Sequence, residues 1–261
     1  MDNPRTSLDE FDVFVVGGGP AGLAAAIAAR KRGLEVVVAD GFEPPIDKPC
    51  GEGLLPATLQ ALKRLDVRLD SCDGCPFHGI HFADHLSEVE ACFPGLRALG
   101  VRRTTLHTRM LESAQNCGVQ FLWRTEVTQL LDRAVIAGGR ITRARWIVGV
   151  DGANSRVRRW IGLSPHSFYL RRYGFRQRYR LHPWSDRVEV HWNLQQAFAL
   201  APRSKPMICI SIKRHTAAFP VFRLGWAFIS SVWTAALGSV VALFRCFPQI
   251  PSSSAGFCLP T

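Results

Sequence analysis

The first residues with a chemical purpose are Gly17-Gly18-Gly19-Pro20-Ala21-Gly22, which fit the spacing G-x-G-x-x-G. Gly17 permits a tight turn after a strand. Gly19 lacks a Cβ, so a pyrophosphate can come up against the backbone, and Gly22 lets a following helix pack close to that strand. Pro20 and Ala21 sit at the junction, where a helix N-terminus offers unpaired N–H groups and a partial positive charge to phosphate oxygens. Eighteen residues after Gly22 stands Asp40, a carboxylate able to accept hydrogen bonds from ribose hydroxyls. The set implies dinucleotide binding and leaves open which dinucleotide.

The elements around these residues match that chemistry. Residues 11–16 are β-branched and aromatic and run into the glycines, which predicts a buried strand. Ala21 to Lys31 is rich in strong helix formers, and Gly33 stops the helix. Residues 35–39 form a second apolar strand ending at Asp40. Strand, helix and strand in this order make a βαβ unit and a parallel sheet. Further along, a loop covers 41–56, a short helix 57–65, and mixed strand and turn 77–93. Leu106, Met110, Leu111, Ala114 and Cys117 form a helical stripe closed by Gly118. Strands are expected over 119–123, 126–137 and 140–150. Asn154 or Ser155 is placed to cap a short helix to Ile161.

Composition bounds the rest. The chain has 261 residues, 47% hydrophobic and 20% charged, which suits a globular protein with a sizeable core. Eight cysteines do not make a disulfide scaffold, and the first fifteen residues lack a basic segment followed by an apolar one. The expected compartment is the reducing cytoplasm. The net charge of +11 is unevenly spread: residues 190–261 carry six Lys and Arg and no Asp or Glu. Residues 224–244 hold no charged side chain, a run as long as the ~20 residues that span a bilayer.

Several constellations read as structural. Cys72 and Cys75 form a CxxC followed by His78, His81 and His85, but only five residues separate Cys75 from His81 and there is no second CxxC. We expect no metal. Residues 171–180 alternate, with Tyr173, Phe175 and Tyr179 on one face and Arg172, Arg176, Arg178 and Arg180 on the other. A nucleic-acid surface needs arginines and aromatics together. The expectation is therefore a strand apolar inside and charged outside, with no nucleic-acid partner. Cys50 is read as a small residue packed in its loop.

Three later segments resemble FAD-dependent monooxygenases of the p-hydroxybenzoate-hydroxylase type and the related geranylgeranyl-reductase-like oxidoreductases. They are Lys48-Pro49-Cys50-Gly51-Glu52-Gly53-Leu54-Leu55-Pro56, Arg103-Thr104-Thr105-Leu106, and Val150-Asp151-Gly152-Ala153-Asn154-Ser155-Arg156-Val157-Arg158. The resemblance implies that the loop with Gly51 and Gly53 runs beside the flavin and that Arg103 reaches the pyrophosphate. It implies that Asp151 and Gly152 contact the FAD ribose and help place NAD(P)H, and that Val127 holds the adenine through its backbone. FAD is then the cofactor, with NAD(P)H as co-substrate and a small molecule as substrate.

The expected fold class is α/β: a Rossmann-like three-layer FAD-binding domain with an incomplete β-rich substrate domain. Residues 1–162 form the first, with a possible insertion around 70–100. Residues 163–215 begin the second, and 216–261 form an atypical low-acid tail. The resemblance covers about 11–202 and stops after Thr216, where the family's Gly-Asp-rich segment has no match. A truncated or frame-shifted reading of a longer gene is the simplest expectation. The function expected is an NAD(P)H-dependent monooxygenase of a hydrophobic or aromatic small molecule. The alternatives are a catalytically incomplete FAD-binding fragment and a flavoprotein anchored to a membrane through 224–244. No catalytic acid or base is assigned.

Overall fold

The computed structural model describes residues 10–163, 173–179, 182, 184–192, 196–201, 208–214 and 243–245. The chain opens with β1 (Glu10–Val16), α1 (Pro20–Arg30) and β2 (Val36–Asp40), then β3 (Gly53–Leu54) and α2 (Pro56–Arg64). Four strands follow: β4 (Gly74–Phe77), β5 (Gly79–Ala83), β6 (Glu88–Cys92) and β7 (Ala98–Val101). Next come α3 (Arg103–Asn116), β8 (Gln120–Trp123), β9 (Val127–Leu131), β10 (Ala134–Ala137), β11 (Arg140–Gly149) and α4 (Arg156–Trp160). The last elements are β12 (Tyr173–Tyr179), β13 (Arg187–Trp192), β14 (Gln196–Ala201), β15 (Ile208–Arg214) and β16 (Leu243–Arg245).

β1 sits at the centre of the main sheet, whose order is β8-β2-β1-β11-β10-β9, with β16 added against β11. β8, β2, β1 and β11 run parallel, and the β9–β10–β11 meander is antiparallel. α1 and α3 cover one face, burying Leu23, Ile27, Met110 and Ala114 against Val13, Val15, Val36 and Val38. Val127, Val135 and Ala137 from the meander meet Phe14, Val16, Val37 and Ala39 on the other face. This is the three-layer α/β arrangement expected from the sequence. Strands buried on both faces read as continuous apolar runs, and Val36-Val37-Val38-Ala39 is one. Each fully buried Val or Phe here contributes about 1.5–3 kcal/mol relative to exposure.

A second sheet has the order β12-β15-β14-β13-β5-β6. Its β5–β6 hairpin comes from between α2 and α3, and β5 pairs in parallel with β13. A small sheet has the order β3-β7-β4, with β4 and β7 flanking the β5–β6 hairpin in the chain. The run 126–137 resolves into two strands turned at Asp132-Arg133, where Arg133 takes a left-handed φ of 53°. Ser155 caps α4, accepting the Arg158 N–H at 2.9 Å.

One expectation is overturned. At β12 the arginine face points inward: the Arg176 side chain is 10% exposed, whereas Gln177 and Tyr179 are exposed. The reason is electrostatic. Glu52 and Asp47 lie beneath that face, and a buried carboxylate needs a cation more than the strand needs an apolar contact. Arg172 and Arg180 lie outside the described residues, as do the side chains of Tyr173 and Phe175. The 216–261 tail lies outside them too, except for β16. Among the described residues no helix is long and apolar enough to cross a membrane.

Candidate functional site

The glycine turn leaves β1 at the C-terminal edge of the parallel strands. Gly17 has φ +115°, and a Cβ there would lie 2.5 Å from the Val150 carbonyl oxygen. β11 ends beside it, since the Val150 N–H donates to the Val16 carbonyl at 2.9 Å. The turn and the Asp151-Gly152 segment are therefore immediate neighbours.

Gly19 precedes α1 and gives it no side-chain cap. Pro20 at the first helical position has no N–H, so the free donors of the first turn begin at Ala21 and Gly22. A Cβ on Gly19 would meet only Arg103 Nη2, at 3.6 Å. That places an open cradle between an uncapped helix N-terminus and a guanidinium. Arg103 Nε is buried without a hydrogen-bond partner. Gly22 packs against the turn so closely that a Cβ would fall 1.8 Å from the Gly17 oxygen.

Asp40 ends β2 and has a dual position. Its Oδ2 accepts the Gly18 N–H at 2.7 Å and its Oδ1 accepts the Phe42 N–H at 2.9 Å. A carboxylate has about four acceptor sites, so capacity remains for hydroxyl donors. The Asp40 carbonyl takes the Thr125 N–H at 3.0 Å, which brings the start of β9 and Val127 to the same end of the sheet.

Asp151 Oδ2 accepts the Arg156 and Val157 N–H groups at 2.6 and 3.2 Å, and its Oδ1 is buried without a partner. Gly152 takes φ +91°, and the point where its Cβ would lie is 4.0 Å from Lys48 Nζ. The loop with Gly51 and Gly53 is tied in by Glu52, whose Oε1 accepts the Arg103 backbone N–H at 2.9 Å. Gly53 opens β3 and pairs with Gly100. The glycine turn, Asp40, Arg103 and Asp151-Gly152 thus lie near one edge of the main sheet, whereas Gly53 belongs to the small sheet and its loop reaches Arg103 through Glu52.

Four residues escaped the sequence reading. Gly18 stands at a variable position of the motif, yet a Cβ there would lie 2.4 Å from the Trp123 ring. His107 is fully buried and its Nε2 lies 2.8 Å from the Gly18 carbonyl oxygen, a contact it makes as donor. Burial holds the His107 imidazole below its usual range against the opposing pull of the Gly18 bond, and the Arg103 charge adds to the lowering. The signal for His107 was its spacing, one helical turn after Arg103 on α3. Glu52 and Trp123 carried no spacing signal.

The other constellations stay apart from this edge. Cys75 lies in β4, where burial pushes its thiol up, and Cys72 is exposed. Asp73 between them binds Arg109 of α3 through both oxygens. Among the described residues no group of three or more His, Cys, Asp and Glu is placed to hold a metal ion.

A family model described as FAD binding domain matches residues 10–220. The chain belongs to this FAD-binding family. Menaquinone reductase of Mycolicibacterium smegmatis is 32% identical over 166 residues, covering 59% of this chain and 41% of that protein. The 6-hydroxy-3-succinoylpyridine 3-monooxygenase HspB of Pseudomonas putida is 32% identical over 167 residues, covering 56% and 42%. The chain thus spans about two fifths of the length of these curated relatives. PqsL of Pseudomonas aeruginosa, solved with 2-aminobenzoylacetate, shares the fold at a TM-score of 0.68 and 17% identity, covering 79% of this chain and 61% of that one.

The residues at the sheet edge fit FAD. The Gly19 cradle, the uncapped α1 and the buried Arg103 Nε suit a diphosphate, and the free Asp151 Oδ1 suits a hydroxyl donor.

Proposed function

We propose that this chain binds FAD and acts as an NAD(P)H-dependent oxidoreductase, a monooxygenase of a hydrophobic or aromatic small molecule. The observation that carries the reading is the open cradle between Gly19 and Arg103 at the uncapped end of α1. Gly17, Gly19, Pro20, Ala21 and Gly22 present backbone to the pyrophosphate, and the Arg103 fork meets two of its oxygens. Asp40 takes the adenosine ribose while bracing Gly18, and the Val127 backbone faces the adenine. Asp151 and Gly152 contact the FAD ribose and help place NAD(P)H. Gly51 and Gly53 let their loop lie close to the ring.

FAD, when bound, supplies the redox chemistry, accepting hydride from NAD(P)H and passing electrons on to oxygen. The chain's own residues bind and orient it. HspB, a monooxygenase by name, supports hydroxylation. Menaquinone reductase has the same identity to this chain, which favours a second reading, reduction of an apolar substrate without oxygen.

The test begins with the purified chain incubated with FAD and desalted. A retained flavin band near about 450 nm at roughly one flavin per chain is expected, and Gly19→Val is expected to abolish it while the far-UV circular dichroism is unchanged. A colourless wild-type chain, or undiminished binding by the variant, would refute the assignment. NAD(P)H consumption that requires oxygen supports hydroxylation. Consumption that proceeds anaerobically with a quinone supports reduction.

A further inference from the structure

Glu52 occupies a demanding position. Its backbone is left-handed at φ 56°, an unusual conformation for a residue with a side chain. Its side chain is 0% exposed. Its carbonyl accepts the Val101 N–H at 2.8 Å, fixing the loop to the end of β7. Its Oε1 gathers three donors from two distant parts of the chain: the Arg103 backbone N–H at 2.9 Å, Arg176 Nη1 at 2.8 Å and Arg178 Nη2 at 3.1 Å. Asp47, in the same loop, accepts from Arg176 Nη2 at 2.6 Å. The Lys48 carbonyl accepts from Arg176 Nη1 at 3.3 Å. Two carboxylates therefore face two guanidiniums, with Glu52 buried, Arg176 nearly so, and Asp47 and Arg178 partly exposed.

Such a cluster is a costly way to gain stability. Burying ion pairs costs desolvation that their attraction only partly offsets, and apolar side chains of equal volume often do as well. What ion pairs supply is geometric definition, because the arginine forks are planar and directional. The three elements joined here also carry distinct tasks. Arg103 begins α3 and presents its side chain to the Gly19 cradle. The loop from Lys48 to Gly53 passes the Asp151-Gly152 turn at Lys48. β12 is the end strand of the second sheet.

We propose that Glu52 is a positioning residue that couples occupation of the Gly19–Arg103 cradle to the seating of β12, so that FAD bound on the first sheet orders the second. The coupling rests on the FAD reading above. Arg103 moves with its own backbone, and the N–H of that residue is held by the same oxygen that holds both β12 arginines. A ligand that fixes Arg103 thereby fixes the carboxylate, and the carboxylate fixes Arg176 and Arg178. Linkage makes the effect reciprocal: loss of the β12 contacts must weaken FAD.

Hydrogen exchange at residues 173–179, with and without FAD, tests this on the full chain. In the wild type FAD is expected to slow exchange there about 10-fold, an ordinary size for coupling between sites. In Glu52→Gln the slowing is expected to fall below about 2-fold, with FAD Kd raised about 10-fold by reciprocity. The double variant Glu52→Gln with Arg176→Gln keeps Asp47 and Arg178 as a balanced pair, and gives the same uncoupling if the single variant folds poorly. A merely structural Glu52 would change exchange equally in the presence and absence of FAD. That result, or β12 exchange indifferent to FAD in the wild type, would overturn the coupling while leaving the cofactor reading intact. A wild-type chain that retains no flavin would overturn the cofactor reading and the coupling with it.

Discussion

Gly18 stands where the glycine motif allows any residue, yet three neighbours leave it no room. Asp40 takes its N–H, His107 holds its carbonyl and the Trp123 ring covers its Cα. A motif records which backbone positions face a ligand, and it is blind to what packs behind them. His107 makes that support testable. Burial disfavours the charged form of its imidazole in the folded chain and holds its pKa below the ordinary 6.5. The unfolded chain then binds the proton more readily in that interval, and folding weakens as pH drops from about 6.5 toward the folded value. The contribution is complete above about 6.5. His107→Gln retains an N–H donor for Gly18 and cannot titrate. Its melting temperature is expected to fall less steeply than that of the wild type between about pH 7 and 5. Parallel slopes in a series of thermal scans would show that His107 is not the titrating group.

At the scale of elements, the βαβ unit was legible because its signals are local. An apolar run, three glycines, an alanine-rich stretch and Asp40 each act within a few residues of themselves. Gly22 shows how tightly they combine. Its missing Cβ lets α1 meet the Gly17 oxygen, and Gly22→Ala forces the helix off the sheet or the turn out of shape. Overpacking of this kind costs about 2–3 kcal/mol. Urea unfolding is expected to register that loss, with FAD retention falling in parallel because the cradle is made by the same turn. β12 teaches the opposite lesson. Alternation correctly divided its residues into two faces, but nothing local says which face is inner. That choice was made by Asp47 and Glu52, more than a hundred residues earlier. The parallel pairing of β5 with β13 was hidden for the same reason, since it joins residues 79–83 to 187–191.

At the scale of the whole molecule, the chain order itself ties the two large sheets together. β5 and β6 leave the first part between α2 and α3 and complete the second sheet, so that sheet cannot form without the chain passing through both. The Glu52 cluster adds a side-chain tie at a separate place. A ligand bound at the glycine turn should therefore stabilise both sheets as one unit. FAD that binds only the folded chain adds about 2.7 kcal/mol at a hundredfold excess over Kd. For a chain of this size that raises the melting temperature by roughly 5–10 °C. The expected record is a single transition that moves upward with FAD concentration, and one that stays fixed in Gly19→Val. Two transitions, of which only one responds to FAD, would mean that the second sheet unfolds on its own. Cofactor binding would then be a property of the first sheet, and the ties at β5 and Glu52 would be too weak to carry its stabilisation across.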